Sequence, residues 1–116
     1  MNHVQKLLHS HLNKDEIALY AAMEKGDDFV WLAKHGYYER KQWGGGFTKK
    51  GKVFIEQQNE LIDRLAKKTE RFWDEGKHKE LQRKLMTYQK NLKKGTLFDG
   101  LSEEETFAVR YIIKTY

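Results

Sequence analysis

Apolar residues recur at helical spacing along most of the chain, and this spacing predicts a mostly α-helical protein. The predicted helices cover residues 3–12, 14–25, 29–35, 49–75, 77–93 and 103–114. Glycine is a poor helix former, so Gly26 and Gly76 are expected to end the second and fourth of these helices. The third helix is apolar at nearly every position, which is typical of a buried element.

Polar side chains that can cap a helix support several of these boundaries. Asn13, Thr48 and Ser102 each precede a predicted helix, and their side chains can accept a hydrogen bond from an unpaired backbone N–H group. Ser102 also stands at the capping-box spacing before Glu105. Asp27 or Asp28 is expected to cap the third helix in the same way.

Residues 36–47 depart from the helical pattern. Gly36 can end the third helix because glycine adopts a left-handed conformation without steric cost. The mixed aromatic and polar residues 37–43 suit a β-strand, the glycines at 44–46 suit a turn, and Phe47 can begin a return strand. We therefore predict a mostly α protein with one small β-hairpin, followed by an α-helical C-terminal region.

Apolar stripes predict how the later helices pack. Residues 61–73 and residues 81–92 each form a stripe, and helices joined by a short turn are usually antiparallel, so the two stripes are expected to cover each other. Trp31 and Trp73 are expected in the core, and Leu97 can insert into it from a loop together with Phe98. The last helix is apolar on two sides, so we expect it to be buried on both or exposed in an interface.

The segment of helix, hairpin and helix resembles the winged-helix domain of MarR- and PadR-type regulators. Residues 32–37 (Leu-Ala-Lys-His-Gly-Tyr) match the end of the helix before the wing, Glu39-Arg40-Lys41 matches the basic wing, and residues 47–51 (Phe-Thr-Lys-Lys-Gly) match the start of the next helix. The likeness covers roughly residues 15–65 and implies one domain with a winged-helix-like part at about 1–56 and a helical part at about 57–116. It also implies binding of double-stranded DNA, a role in transcription regulation, and a homodimer formed by helices outside the winged part.

The net charge of +5 is concentrated in two basic segments. Residues 34–52 contain six Lys or Arg residues and one acidic residue, and residues 77–94 contain seven and one. Such segments attract phosphates or an acidic protein surface, although lysines that only solvate a helix face would explain the second segment equally well. The candidate binding residues are Tyr38, Arg40, Lys41, Trp43, Lys49, Lys50, Lys52, Arg83 and Lys84.

Two functions remain open from the sequence. The first is nucleic-acid binding through phosphate and minor-groove contacts, because the third helix begins with Asp27 and Asp28 and offers few polar side chains for base edges. The second is a protein-binding module or inhibitor, such as a phage or another mobile element encodes, that uses the basic aromatic hairpin to occupy an acidic protein surface. Trp43 is either a lid over the core or an exposed contact residue.

No residue pattern indicates catalysis or cofactor binding, so we expect no enzyme, no cofactor and no metal. The sequence has no cysteine, which excludes disulfides. His9 and His11 point to different sides of a helix and cannot share a metal in the usual way. No apolar run approaches the roughly 20 residues of a membrane span, and no signal peptide is expected. We therefore expect a cytoplasmic protein that does not contact a membrane.

Overall fold

The computed structural model describes residues 2–92 and 96–114. This part of the chain is mostly α-helical and contains a single two-stranded antiparallel hairpin, as the sequence predicts. In chain order the elements are α1 (His3–His11), α2 (Lys14–Asp27), α3 (Phe29–Lys34), β1 (Tyr38–Lys41), β2 (Gly44–Phe47), α4 (Lys49–Lys68), a 3₁₀ helix (Glu70–Trp73), α5 (Glu75–Lys90) and α6 (Glu103–Lys114). No helix in the described ranges is long and apolar enough to cross a membrane.

Helix α2 lies at the centre of the fold, where it packs against both α6 and α4. Apolar residues cover most of its circumference, so it can be buried against two helices at once. Helix α5 packs on α1 and α6 and completes the core. The side chains that are least accessible to solvent include Leu8, Leu19, Leu32, Leu81, Leu85, Val109 and Ile112. One buried cluster therefore joins the N-terminal and C-terminal helices.

The predicted helix caps are present. The side chains of Asn13, Asp28 and Thr48 each accept a hydrogen bond from a backbone N–H group of the helix that follows, at 2.8 to 3.1 Å. At the start of α6, the Ser102 hydroxyl accepts from the Glu105 N–H group, and the Glu105 carboxylate accepts from the Ser102 N–H group. Because capping contacts are local, the sequence predicts the starts of these helices correctly.

Gly26 and Gly76 do not end helices, contrary to the prediction. Gly26 lies inside α2, and Gly76 lies in the first turn of α5. A glycine within a helix costs only about 1 kcal/mol relative to alanine, and the packing of α2 against two other helices outweighs that cost. The predicted fourth helix ends instead before Thr69, and Asp74 caps α5.

Helix α5 does not cover α4 as predicted, but packs mainly against α1 and α6. The 3₁₀ helix between α4 and α5 redirects the chain, so the two helices do not form a simple antiparallel pair. Trp73, in this connection, is 68% exposed and therefore lies outside the core, whereas Trp31 is half-buried. Leu97 is buried and Phe98 partly buried, as predicted. Helix α6 is buried on more than one side.

A cluster of buried carboxylates joins α2 and α3 to α6. The Glu24 carboxylate lies 2.8 Å from the Lys114 ammonium and 3.5 Å from the Arg110 guanidinium. The Asp28 carboxylate lies 2.8 Å from the same guanidinium. Glu24 and Asp28 are buried, and their burial is tolerated because cations compensate their charges. Since Asp28 also caps α3, the cluster holds the start of α3 against α6.

Glu105 connects the start of α6 to α1. Its carboxylate accepts hydrogen bonds from the Ser102 N–H group at 2.9 Å and from the Gln5 side-chain amide at 3.0 Å, and it lies 2.7 Å from His9 Nε2. Burial opposes ionisation of this group. The hydrogen bonds from Ser102, Gln5 and His9 outweigh burial and lower the pKa of Glu105 to about 2.

We expect Glu105→Gln to lower the free energy of unfolding near neutral pH by about 2 kcal/mol. The pKa of Glu105 in the folded chain lies below its ordinary value of 4.5, so folding favours the ionised form. This stabilisation is complete above the ordinary pKa and is lost as the pH falls towards 2. Denaturant unfolding at several pH values should therefore show the difference between wild type and variant shrinking in acid.

Glu104→Gln is the matched control, because it removes the same charge from an exposed position in the same helical turn. It should change the free energy of unfolding by less than about 0.5 kcal/mol. Equal losses in the two variants, or a Glu105→Gln effect that does not depend on pH, would contradict this role for Glu105.

Candidate nucleic-acid interface

The end of α3 directs the chain into the hairpin. Gly36 adopts a φ of 76°, and its N–H group donates to the Ala33 carbonyl at 3.2 Å. The Tyr37 N–H group donates to the Leu32 carbonyl at 2.8 Å. This pair of hydrogen bonds is a Schellman motif, which favours glycine because its central residue is left-handed. The prediction that Gly36 ends the third helix is confirmed.

Thr48 and Gly51 fix the other end of the hairpin against α3. The Thr48 hydroxyl donates to the Gly36 carbonyl at 2.8 Å and also accepts from the Gly51 N–H group at 3.0 Å. The Thr48 N–H group donates to the Tyr37 carbonyl at 3.1 Å. Gly51 is buried against that carbonyl, and a Cβ atom on Gly51 would overlap the Tyr37 oxygen. These contacts hold the base of the hairpin in one position.

The three consecutive glycines form strand β2 and not the turn, which corrects the sequence prediction. The turn consists of Gln42 and Trp43, and Gly44 begins the return strand with a φ of 99°. A residue with positive φ after a tight turn is typical of a hairpin that ends in a glycine bulge. Gly45 lies beneath the Tyr38 ring, which would collide with any Cβ atom there.

Aromatic side chains attach one face of the hairpin to α3. Tyr38 and Phe47 pair across the two strands, with ring centroids 5.5 Å apart. The Phe29 ring of α3 lies 5.0 Å from Tyr38 and 6.2 Å from Phe47. At the base of the hairpin, Tyr37 stacks on Phe54 of α4 at 4.3 Å. The hairpin is therefore positioned by side-chain packing as well as by its backbone hydrogen bonds.

The hairpin and the first turn of α4 expose five cations, which we call the basic surface. Its members are Arg40, Lys41, Lys49, Lys50 and Lys52. The one ion pair that they form within the described part of the chain joins Lys41 to Glu39 at 4.0 Å. Both partners are largely exposed, so this pair contributes little. The Lys50 ammonium instead donates to the His35 carbonyl at 3.3 Å.

The first turn of α4 carries charges that do not favour its own folding. It includes Lys49 and Lys50 and no acidic residue, whereas α2 begins with Asp15 and Glu16. The helix dipole disfavours a cation near the N-terminus of a helix by about 0.3–1 kcal/mol. The stability of α4 therefore does not explain these lysines, and their charge adds to the positive potential at the helix start.

Helix α3 is more exposed than its apolar sequence predicts. Leu32 is buried, but Phe29 is 48% exposed and Val30 is 60% exposed. This six-residue helix places only one side on the core, so its other apolar residues face solvent. Asp28 is buried and paired with a cation of α6, which leaves Asp27 as the exposed carboxylate at the helix start. The exposed residues of α3 offer little hydrogen bonding to base edges.

Arg83 and Lys84 lie on a surface that α5 forms with α1, beside residues such as His3 and Tyr88. Helix α5 packs on α1 and α6, whereas the hairpin packs on α3 and α4, so the fold does not group these two cations with the basic surface. The Lys84 ammonium lies 3.1 Å from Glu80, and this hydrogen bond and charge lower the pKa of Glu80. Two further lysines of the predicted segment, Lys93 and Lys94, lie outside the described residues.

An aromatic cleft that no sequence pattern predicts lies between α2, the 3₁₀ helix, α5 and α6. The cleft has a volume of about 250 Å³ and is lined by Tyr20, Phe72, Trp73, Glu75, His78, Lys79 and Tyr111. The Tyr20 hydroxyl lies 2.9 Å from His78 Nδ1, and burial, with the nearby Tyr111 and Glu16, raises the pKa of Tyr20. Since the lining residues come from three separate parts of the chain, at Tyr20, residues 72–79 and Tyr111, no local pattern could have indicated this cleft.

Among the described residues, no group of three or more His, Cys, Asp or Glu side chains could hold a metal ion. Comparisons of the chain with protein-family models, with curated proteins and with solved structures found no match. The winged-helix resemblance therefore remains a prediction from the sequence, and a function has to be argued from the geometry of the basic surface and its surroundings.

Proposed function

We propose that this protein binds nucleic acid through the basic surface, mainly by contacts to phosphates. The observation that carries the proposal is the group of exposed and largely unpaired cations on the hairpin and the first turn of α4. Thr48 and Gly51 place these two elements side by side. Cations in such an arrangement gain binding free energy from the release of counterions that surround a phosphate backbone.

Helix α3 supports a sequence-independent mode of binding to double-stranded DNA. A helix that reads bases in the major groove needs polar side chains near its N-terminus. In α3 these positions hold Phe29 and Val30, with Asp27 exposed just before them. Contacts to phosphates set affinity and orientation without specifying sequence. If the protein regulates transcription, as the resemblance implies, it would recognise the shape of its DNA site.

The binding of a random-sequence duplex at several salt concentrations tests this proposal. Affinity should fall steeply with salt, because log K decreases by about 0.9 per phosphate contact for each unit of log salt. Arg40→Ala combined with Lys41→Ala should weaken binding for all sequences and reduce the salt slope by about 2. Fluorescence anisotropy of a labelled duplex measures both quantities.

Arg64→Ala combined with Lys67→Ala is the matched control, because it removes the same charge from exposed positions further along α4. Its affinity and salt slope should stay close to those of the wild type. Absence of duplex binding at low salt would refute the proposed function. Equal losses in the two double variants would show that net charge, and not the basic surface, determines the affinity.

The exposed apolar residues favour a second candidate, a protein-binding module that occupies an acidic protein surface. Trp43 is 92% exposed, and Phe29 and Val30 are exposed on α3, beside the hairpin. Aromatic residues and arginine often supply most of the binding energy at protein interfaces. For this candidate, alanine at Arg40, Lys41 and Trp43 should abolish capture of one specific partner while leaving DNA affinity unchanged. A pull-down that recovers no specific partner would count against it.

A further inference from the structure

Trp43 lies in the turn of the hairpin and contributes nothing visible to its packing. The indole is 92% exposed. Ring contacts in the described part of the chain join Tyr38, Phe47 and Phe29, and Trp43 takes part in none of them. The fold therefore leaves this large aromatic ring free to contact another molecule.

Trp43 lies next to two cations, Arg40 and Lys41, and to glycines that have no side chain. Strand β2 begins with three glycines, so no side chain projects from the return strand beside the turn. Lys41 stands opposite Gly44, and Arg40 stands opposite Gly45. The Tyr38 ring covers Gly45, but nothing lies within 4 Å of a Cβ atom built at Gly44 or Gly46. Because side chains alternate along a strand, Lys41 shares the face of these two glycines and Arg40 lies on the other face. A planar group could therefore approach the indole across Gly44 and Gly46 while a neighbouring phosphate meets Lys41. Aromatic side chains within a positively charged surface are the usual means of holding unpaired bases.

We propose that Trp43 stacks on bases that are unpaired or unstacked, so that the protein prefers distorted duplexes over perfect ones. This inference rests on the proposed function. In a perfect duplex every base is already stacked, and insertion of a side chain must first unstack a base step, which offsets much of the gain. At a mismatched segment the bases are partly free, and stacking on the indole adds to the phosphate contacts. Discrimination then depends on the structure of the nucleic acid rather than on its sequence.

The experiment compares two duplexes of the same length and phosphate number, one perfect and one with a short central run of mismatches. The wild type should bind the mismatched duplex at least about fivefold more tightly, as expected for one stacked base. Trp43→Ala should bind the two duplexes equally, because the stacking contact that distinguishes them is removed. Trp43→Phe, which keeps a stacking ring, should retain part of the preference.

The hairpin charges and the stability of the variant serve as controls. Arg40→Ala combined with Lys41→Ala should weaken binding to both duplexes by the same factor. This result would distinguish the contribution of charge to the affinity from the contribution of stacking. Because Trp43 is exposed, Trp43→Ala should unfold at the same temperature as the wild type.

Equal affinity of the wild type for the two duplexes would overturn the stacking proposal and leave the proposed function intact. The same conclusion would follow if Trp43→Ala weakened binding to both duplexes alike. If neither duplex binds at low salt, the proposed function fails, and this inference fails with it.

Discussion

Replacing Gly51 with alanine is expected to lower the free energy of unfolding by about 2 to 3 kcal/mol, the effect of overpacking in a closely packed interior. The sign of this change in the free energy of unfolding is informative, because replacing glycine with alanine in an ordinary helix interior adds about 1 kcal/mol of stability. Gly51 is buried where α4 meets the base of the hairpin, and a Cβ atom there would overlap the Tyr37 carbonyl oxygen. The Tyr37 carbonyl belongs to the backbone and cannot rotate away from the added methyl group as a side chain could. Either α4 or the hairpin must therefore move.

Gly26→Ala is the matched control for this prediction. Gly26 also lies inside a helix, but the nearest atom that an added Cβ would meet is a side-chain methyl group of Ile55 at 3.9 Å, an ordinary contact distance. Gly26→Ala should therefore stabilise the protein by about 0.5 to 1 kcal/mol. Denaturant unfolding of both variants provides the comparison. If Gly51→Ala is as stabilising as Gly26→Ala, the close contact between α4 and Tyr37 does not exist in solution.

Replacing Arg110 with methionine is expected to lower the free energy of unfolding by about 2 to 3 kcal/mol. The variant keeps most of the side-chain volume but leaves the buried Asp28 carboxylate without its cation and Glu24 with only Lys114. Breaking a fully buried ion pair costs about 3 to 5 kcal/mol. The expected loss is smaller because the Arg110 side chain is 41% exposed, so water already screens part of the interaction.

Arg64→Met is the control for Arg110, because Arg64 is exposed on α4 and forms no ion pair within the described ranges. It should change the free energy of unfolding by less than about 0.5 kcal/mol. Thermal and denaturant unfolding measure both variants. A loss for Arg110→Met no larger than that for Arg64→Met would show that the cluster of Glu24 and Asp28 is solvated rather than buried.

The elements that the sequence predicts well are those determined by neighbouring residues. Asn13, Thr48 and Ser102 cap their helices through hydrogen bonds to the first turn, and Gly36 ends α3 through a local motif. The presence of a hairpin followed from the same kind of pattern. Its turn was misplaced because glycine has two uses: it permits a positive φ at Gly44, and it leaves room for a neighbouring ring at the next residue.

The features that the sequence did not reveal depend on contacts between distant residues. Glu24 is a carboxylate in the last turn of α2, and its burial becomes possible only because Arg110 and Lys114 reach it from α6. The exposure of Phe29 and Val30 follows from the single side that α3 places on the core. The partners of α5 were predicted wrongly because the direction of the 3₁₀ helix cannot be read from an apolar stripe.

In the candidate site too, the sequence predicts what depends on neighbouring residues and misses what depends on contacts between distant ones. The sequence located Arg40 and Lys41 on a basic hairpin, since charge and hairpin formation are local properties. It left open whether Trp43 covers the core or is exposed, and the structure shows it 92% exposed. It also grouped Arg83 and Lys84 with them on charge alone, whereas the fold places these two beside α1. Thr48 and Gly51 hold the hairpin against the end of α3 through contacts with Gly36 and Tyr37, which no pattern within α4 predicts.

The most direct test of the central claim, that the basic surface contacts nucleic acid, is a map of backbone amide chemical shifts during titration with a short duplex at low salt. The largest changes are expected at residues 38–47 and 49–52, whereas amides around Arg83 and Lys84 should change little. If the duplex shifts the amides of α5 and leaves the hairpin unchanged, or shifts no amide, the basic surface is not the nucleic-acid contact.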